Sequence, residues 1–182
     1  MTGTRRKLMM TALSGAGIAV GSVAAGGGAA AADGHSVVVE VRDTFVTTKV
    51  KDATSYTYDP ALVPAGARVK VRSASVRGQR NVTTLWLGGL KPRTHFMAHV
   101  HVGRCGVDPL ASGGHYQHRV GGPVDAENEV WFSVRTDARG NARASAAHNW
   151  TYEPGRFPES VVVHEHGPQA RRIACASVPF AS

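Results

Sequence analysis

Four histidines carry the chemistry that this sequence most plainly offers. His99-Val100-His101 sits in an alternating run, Ala98 to Val102. Side chains two apart on a strand share a face, so both imidazoles can reach one ion without backbone strain. His164 ends a second apolar run, Val161-Val162-Val163-His164-Glu165, and His115 follows paired glycines in Gly113-Gly114-His115-Tyr116. Glycine lets a backbone fold back against a strand face. Three or four neutral imidazoles suit copper or zinc, and a nitrogen-rich tetragonal set favours copper.

The elements that must position these residues are short and β-rich. Strands are expected over 36–42, 45–50, 67–74, 81–87, 98–102, 129–136, 142–152, 160–164 and 173–180, separated by Gly- and Pro-bearing turns. Eight or nine strands with little amphipathic helix point to an all-β chain, a Greek-key barrel or sandwich. The least regular stretch, 103–128, is rich in Gly, His and Pro, and loops of that length are usually functional.

The N-terminus reads as an export signal. Arg5, Arg6 and Lys7 precede an apolar stretch diluted with Gly and Ser, and Ala30 to Ala32 supply a cleavage pattern. Thr4-Arg5-Arg6-Lys7-Leu8-Met9 also resembles a twin-arginine signal. Residues 1–32 are thus expected to leave, with no membrane span retained, and 33–182 to form one domain in a bacterial secreted or cell-envelope compartment. The 182-residue chain has formal charge +8; without the leader, 18 cations face 13 acids, a net +5. The cations look scattered along the sequence, with no basic stripe interleaved with aromatics, so a small anion is expected as partner rather than nucleic acid. Cys105 and Cys175 are the only cysteines. In an exported protein they read first as a disulfide, with two metal-binding thiols as the rival.

The order His-Val-His, Cys, Gly-Gly-His, Val-Val-His-Glu, Arg-Ile-Ala-Cys resembles the copper/zinc superoxide dismutase family over roughly residues 69–180. The resemblance implies a Greek-key β-barrel in which His99, His101, His115 and His164 hold copper, with His115 as the family's bridging histidine and a proton carrier. It also implies a Cys105–Cys175 disulfide and an arginine guiding superoxide, matched by Arg172 or by its neighbour Arg171. The reaction implied is conversion of superoxide to O₂ and H₂O₂.

The departures are specific. The family's two further histidines and aspartate for zinc have no counterpart, and no His-x-x-Asp follows His115. His118, Asp125, Glu127 and Glu129 are the residues left to improvise a zinc site, so copper is expected and zinc is not. Without zinc, Glu127 or Glu129 is a candidate to orient the far nitrogen of His115. The stretch between His164 and Arg172 is only seven residues, where the classical enzymes carry a long channel-walling loop. A copper-holding protein without turnover is the alternative. His95, His148 and His166 read as surface or packing residues, with a ligand or relay role open for His166. His35 would be third from a free amine after cleavage. Trp86, Trp131 and Trp150 read as strand aromatics. Oligomeric state has no diagnostic patch.

Overall fold

The computed structural model describes residues 36–76, 79–167 and 170–181. The expected leader 1–32, with its cleavage site, and His35 lie outside the described residues.

Among the described residues, ten strands form two sheets. In chain order they are β1 (Ser36–Thr44), β2 (Val46–Thr47), β3 (Ser55–Thr57), β4 (Arg68–Val76), β5 (Arg80–Gly88), β6 (His95–His101), β7 (Trp131–Arg135), β8 (Ala142–His148), β9 (Ser160–Glu165) and β10 (Arg172–Ser177). One sheet runs β1-β4-β5-β8 and the other β2-β3-β10-β9-β6-β7. The chain is therefore an all-β sandwich of two sheets. Among the described residues the helical content is one 3₁₀ turn, Pro109–Ser112, capped by the Asp108 carboxylate accepting from Leu110 N at 2.8 Å.

Alternation explains the layering. Val69, Val71, Leu85 and Leu87 of the four-stranded sheet face Phe96, Ala98, Val100, Val161 and Val163 of the six-stranded sheet, and all are buried in one core. Burial of each of the Val, Leu and Phe side chains among them contributes about 1.5–3 kcal/mol. Because β6 puts Phe96, Ala98 and Val100 inward, Met97, His99 and His101 must point to the sheet's other face. The loop between β6 and β7 packs over the His101 end of that face through His115 and Arg172, while Ser133 and Arg135 of β7 stay exposed on it.

Several sequence expectations change in detail. Strand β3 replaces what reads as a loop: its three residues pair with β10 on one side, and Tyr56 and Thr57 pair in parallel with β2 on the other. The strand expected at 45–50 shrinks to Val46–Thr47, because the Phe45 side chain is fully buried in the core and the chain turns at Thr47–Val50. Strand β8 ends at His148, which leaves Trp150 beyond it rather than on a strand. His95, expected in a turn, opens β6 opposite Arg135.

Candidate metal centre

Strand register assembles the centre. On β6, His99 and His101 share one face; β9 pairs antiparallel with β6, placing His164 opposite Met97 on that same face. His115 arrives from the loop. Beyond His99, β6 loses β7 as its neighbour, and the loop takes that edge: Val102 N donates to Gly114 O at 3.1 Å and Tyr116 N to Val100 O at 2.9 Å. His115 is thereby bridged to His101. Gly113 makes the approach possible with φ +66, where a Cβ would sit 2.8 Å from the Val102 side chain.

The four side chains each offer a nitrogen, and these atoms lie within 4.8 Å of one another. His99, His101 and His164 are buried, and His115 is half-buried. Among the described residues this is the one group of three or more His, Cys, Asp or Glu side chains gathered closely enough to hold a metal.

The outer hydrogen bonds decide which nitrogen each ring presents. His101 Nδ1 lies 3.0 Å from Gly113 O and His164 Nδ1 2.8 Å from Ala170 O. A carbonyl only accepts, so both Nδ1 atoms carry the proton and both Nε2 atoms are bare lone pairs. Those two Nε2 atoms face each other at 3.2 Å. Neither ring escapes the conflict by protonation near neutral pH. Burial, against the opposing hydrogen bonds to Gly113 O and Ala170 O and with smaller help from neighbouring charges, pushes the His101 pKa down to about 3 and that of His164 below its ordinary value. Two opposed lone pairs in a buried site are a coordination geometry, and a shared cation resolves them.

His99 and His115 complete the set. His99 Nδ1 is buried with no hydrogen-bond partner, and burial, then the adjoining imidazoles, holds its pKa down to about 2. A buried nitrogen without a partner normally costs about 1–3 kcal/mol, and coordination would recover it. His115 Nδ1 lies 2.6 Å from Glu129 Oε2, leaving its Nε2 as the free nitrogen. Glu129 is 2% exposed and also accepts from Trp131 Nε1 at 2.9 Å and Gln117 Nε2 at 3.0 Å. The outer-nitrogen contacts to carbonyl and carboxylate are what orient metal-binding imidazoles and raise their basicity. The donor set fits a copper or zinc ion.

No family model matches the chain, and no curated protein matches it. The centre therefore rests on its own geometry.

Arg172 and Arg171 have different surroundings. Arg172 pairs with His164 across β9 and β10, and its charge lowers the pKa of both His101 and His164. Its Nη1 donates to Pro109 O at 2.8 Å and Ser112 Oγ at 3.0 Å, and its Nη2 to Gly113 O at 2.6 Å. The Gly113 carbonyl thus accepts from both Arg172 and His101. Arg171 is exposed and tied to Glu165 at 2.8 Å and Asp59 at 3.2 Å. The disulfide Cys105–Cys175, with a sequence separation of 70, fixes the loop to β10 three residues from Arg172. Closing a loop of that length is worth roughly 4 kcal/mol in the chain-entropy account.

The remaining candidates do not join the cluster. His118 stacks on Trp150 with ring centroids 4.7 Å apart, and Glu127 is exposed. The Asp125 carboxylate caps the backbone N–H groups of Glu127 and Asn128 at 3.0 and 2.9 Å. His95 and His166 stack on each other at 3.9 Å across β6 and the end of β9. His148 is packed, buried against the Trp150 ring at 4.3 Å, and it also positions backbone, with its Nε2 3.0 Å from Ala126 O and 3.1 Å from Glu129 O. It holds the segment that presents Glu129. An isolated histidine in a small-residue strand gives no sequence signal for that contact.

Proposed function

We propose that this chain is an exported copper-dependent superoxide dismutase, a copper-only relative of the copper/zinc superoxide dismutases. The observation that carries the reading is the pair of bare Nε2 atoms of His101 and His164, joined by unpartnered His99 Nδ1 and carboxylate-held His115. That set, in the order expected of the family, supports copper held by four imidazoles. When bound, copper supplies the one-electron chemistry by alternating between two oxidation states. Overall, two superoxide ions and two protons give one O₂ and one H₂O₂.

The chain's own residues supply charge, position and protons. Arg172 places a permanent positive charge beside His101 and His164, and three of its five N–H donors are taken by Pro109 O, Ser112 Oγ and Gly113 O. The donors left over can receive an anion, while the bonded ones fix the plane of the guanidinium. His115 is the one member of the four whose outer nitrogen is held by a carboxylate and whose ring is half-exposed. Its Nε2 is accordingly the atom suited to take and release a proton, with Glu129 keeping Nδ1 protonated throughout.

A second reading has one observation in its favour. Arg172 is so heavily bonded to the loop that a purely structural role would also account for it, which fits a copper-holding protein without turnover. Superoxide disappearance measured on the copper-loaded protein distinguishes the two. A rate no greater than that of an unstructured copper peptide overturns the enzyme reading.

A further inference from the structure

The outer face of the four-stranded sheet carries a basic row. Register aligns Arg42 of β1 with Lys70 of β4, Lys70 with Trp86 of β5, and Trp86 with Arg143 of β8. Their neighbours Val69, Val71, Leu85 and Leu87 point into the core, so alternation turns this row to the outside. Lys70 Nζ lies 4.6 Å and Arg143 Cζ 5.4 Å from the centroid of the Trp86 ring, close enough for cation–π attraction to hold both. Arg72 and Arg68 flank Lys70 on the same face of β4, both exposed. Against these five cations the face sets Glu40, which pairs with Arg42 at 2.8 Å and Lys70 at 3.2 Å.

A groove of about 520 Å³ opens at one end of the row, lined in part by Arg42, Arg68, Lys70, Trp86, Gly88 and Asn141. Gly88 keeps it open, since a Cβ there would lie 3.2 Å from Asn141 Oδ1 and 3.3 Å from Arg68 Nη2. Asp43, at its edge, has its carboxylate committed to Thr44 N and Thr54 Oγ1.

We propose that this face binds an acidic polysaccharide, with one sugar ring in the Gly88 groove and its acid groups on the Arg42–Lys70–Arg143 row. Cations carried by strands about 4.8 Å apart form a comb across the sheet, suited to a polymer with regularly repeated charge. A groove rimmed by an amide, a guanidinium and an indole suits a polyhydroxylated ring. Single-stranded nucleic acid is disfavoured because it needs successive aromatic platforms. This face presents one indole, already covered by two cations.

The test uses the purified chain on immobilised dextran sulfate, on uncharged dextran, and on oligothymidylate. Binding to dextran sulfate that weakens with salt, with none to dextran, is expected. The triple variant R68Q/K70Q/R143Q should weaken it about tenfold or more. A control triple of equal charge change on other exposed lysines, K49Q/K51Q/K91Q, should stay within about twofold. Gly88→Ala, which narrows the groove alone, should also weaken binding while the melting temperature holds. R143Q is read separately, so that misfolding of the triple does not hide the effect. Equal losses in the two triples, tighter binding to oligothymidylate than to dextran sulfate, or no binding at all would each overturn the proposal.

Discussion

His101 Nε2 and His164 Nε2 face each other at 3.2 Å while both Nδ1 atoms are pinned outward by backbone carbonyls. The arrangement costs free energy when empty and is stabilised by a cation, so metal binding and folding should be linked. Several measurable consequences depend on that linkage and on the groups surrounding it.

Glu129→Gln should damage the centre without unfolding the protein. Glu129 accepts from His115, Trp131 and Gln117. A glutamine has one accepting oxygen, and its amide would confront one of those donors. Copper affinity is expected to fall about 10–100-fold, the usual loss when an imidazole's outer partner is removed. Nitrogen NMR should show His115 losing its preference for the Nδ1–H form. Unchanged affinity together with an unchanged tautomer would contradict the role given to Glu129.

The metal-free protein should lose stability in acid. Unfolded histidines titrate near 6.5, whereas His101 and His99 in the fold stay neutral down to about 3 and about 2. Below pH 6.5 the unfolded chain therefore binds more protons than the folded one. Stability is full above that pH and falls as pH drops, by up to about 1.4 kcal/mol per pH unit for each such histidine. Denaturant melts of the metal-free protein between pH 7.5 and 4.5 would show the slope, and His101→Asn should flatten it.

Arg172 and Arg171 should separate cleanly. Arg172→Ala is expected to lower the second-order rate with superoxide about tenfold or more and to reduce its salt dependence, because a charge beside the centre steers the anion. Arg172→Lys should recover part of the steering but not the loop, since an ammonium does not reproduce the planar fork reaching Pro109, Ser112 and Gly113. Arg171→Ala removes only solvent-screened ion pairs on the surface and should leave the rate alone. Stopped-flow decay of superoxide at two ionic strengths measures all three.

The limits of sequence reading follow from how each feature is encoded. His99 and His101 are visible because a period of two is local, and the apolar run before His164 marks its strand. Cys105 and Cys175 are visible because a pair in an export context has one obvious partner. Strand β3 is not, since three residues become a strand only through β2 and β10. Glu129 stands out as one of two acids near His115, and what selects it is a hydrogen-bonded turn at Asp125 and the His148 ring. The basic row is hidden most completely. Arg42, Lys70, Trp86 and Arg143 come from four strands spread over a hundred residues, so the cations look scattered until register aligns them.

Copper titration of the purified, metal-free protein followed by superoxide decay tests the central claim most directly. One tightly held copper per chain and a dismutation rate far above that of a copper peptide are expected, with both lost in His164→Ala. Copper bound with no rate above the peptide, or full activity retained in His164→Ala, would contradict it.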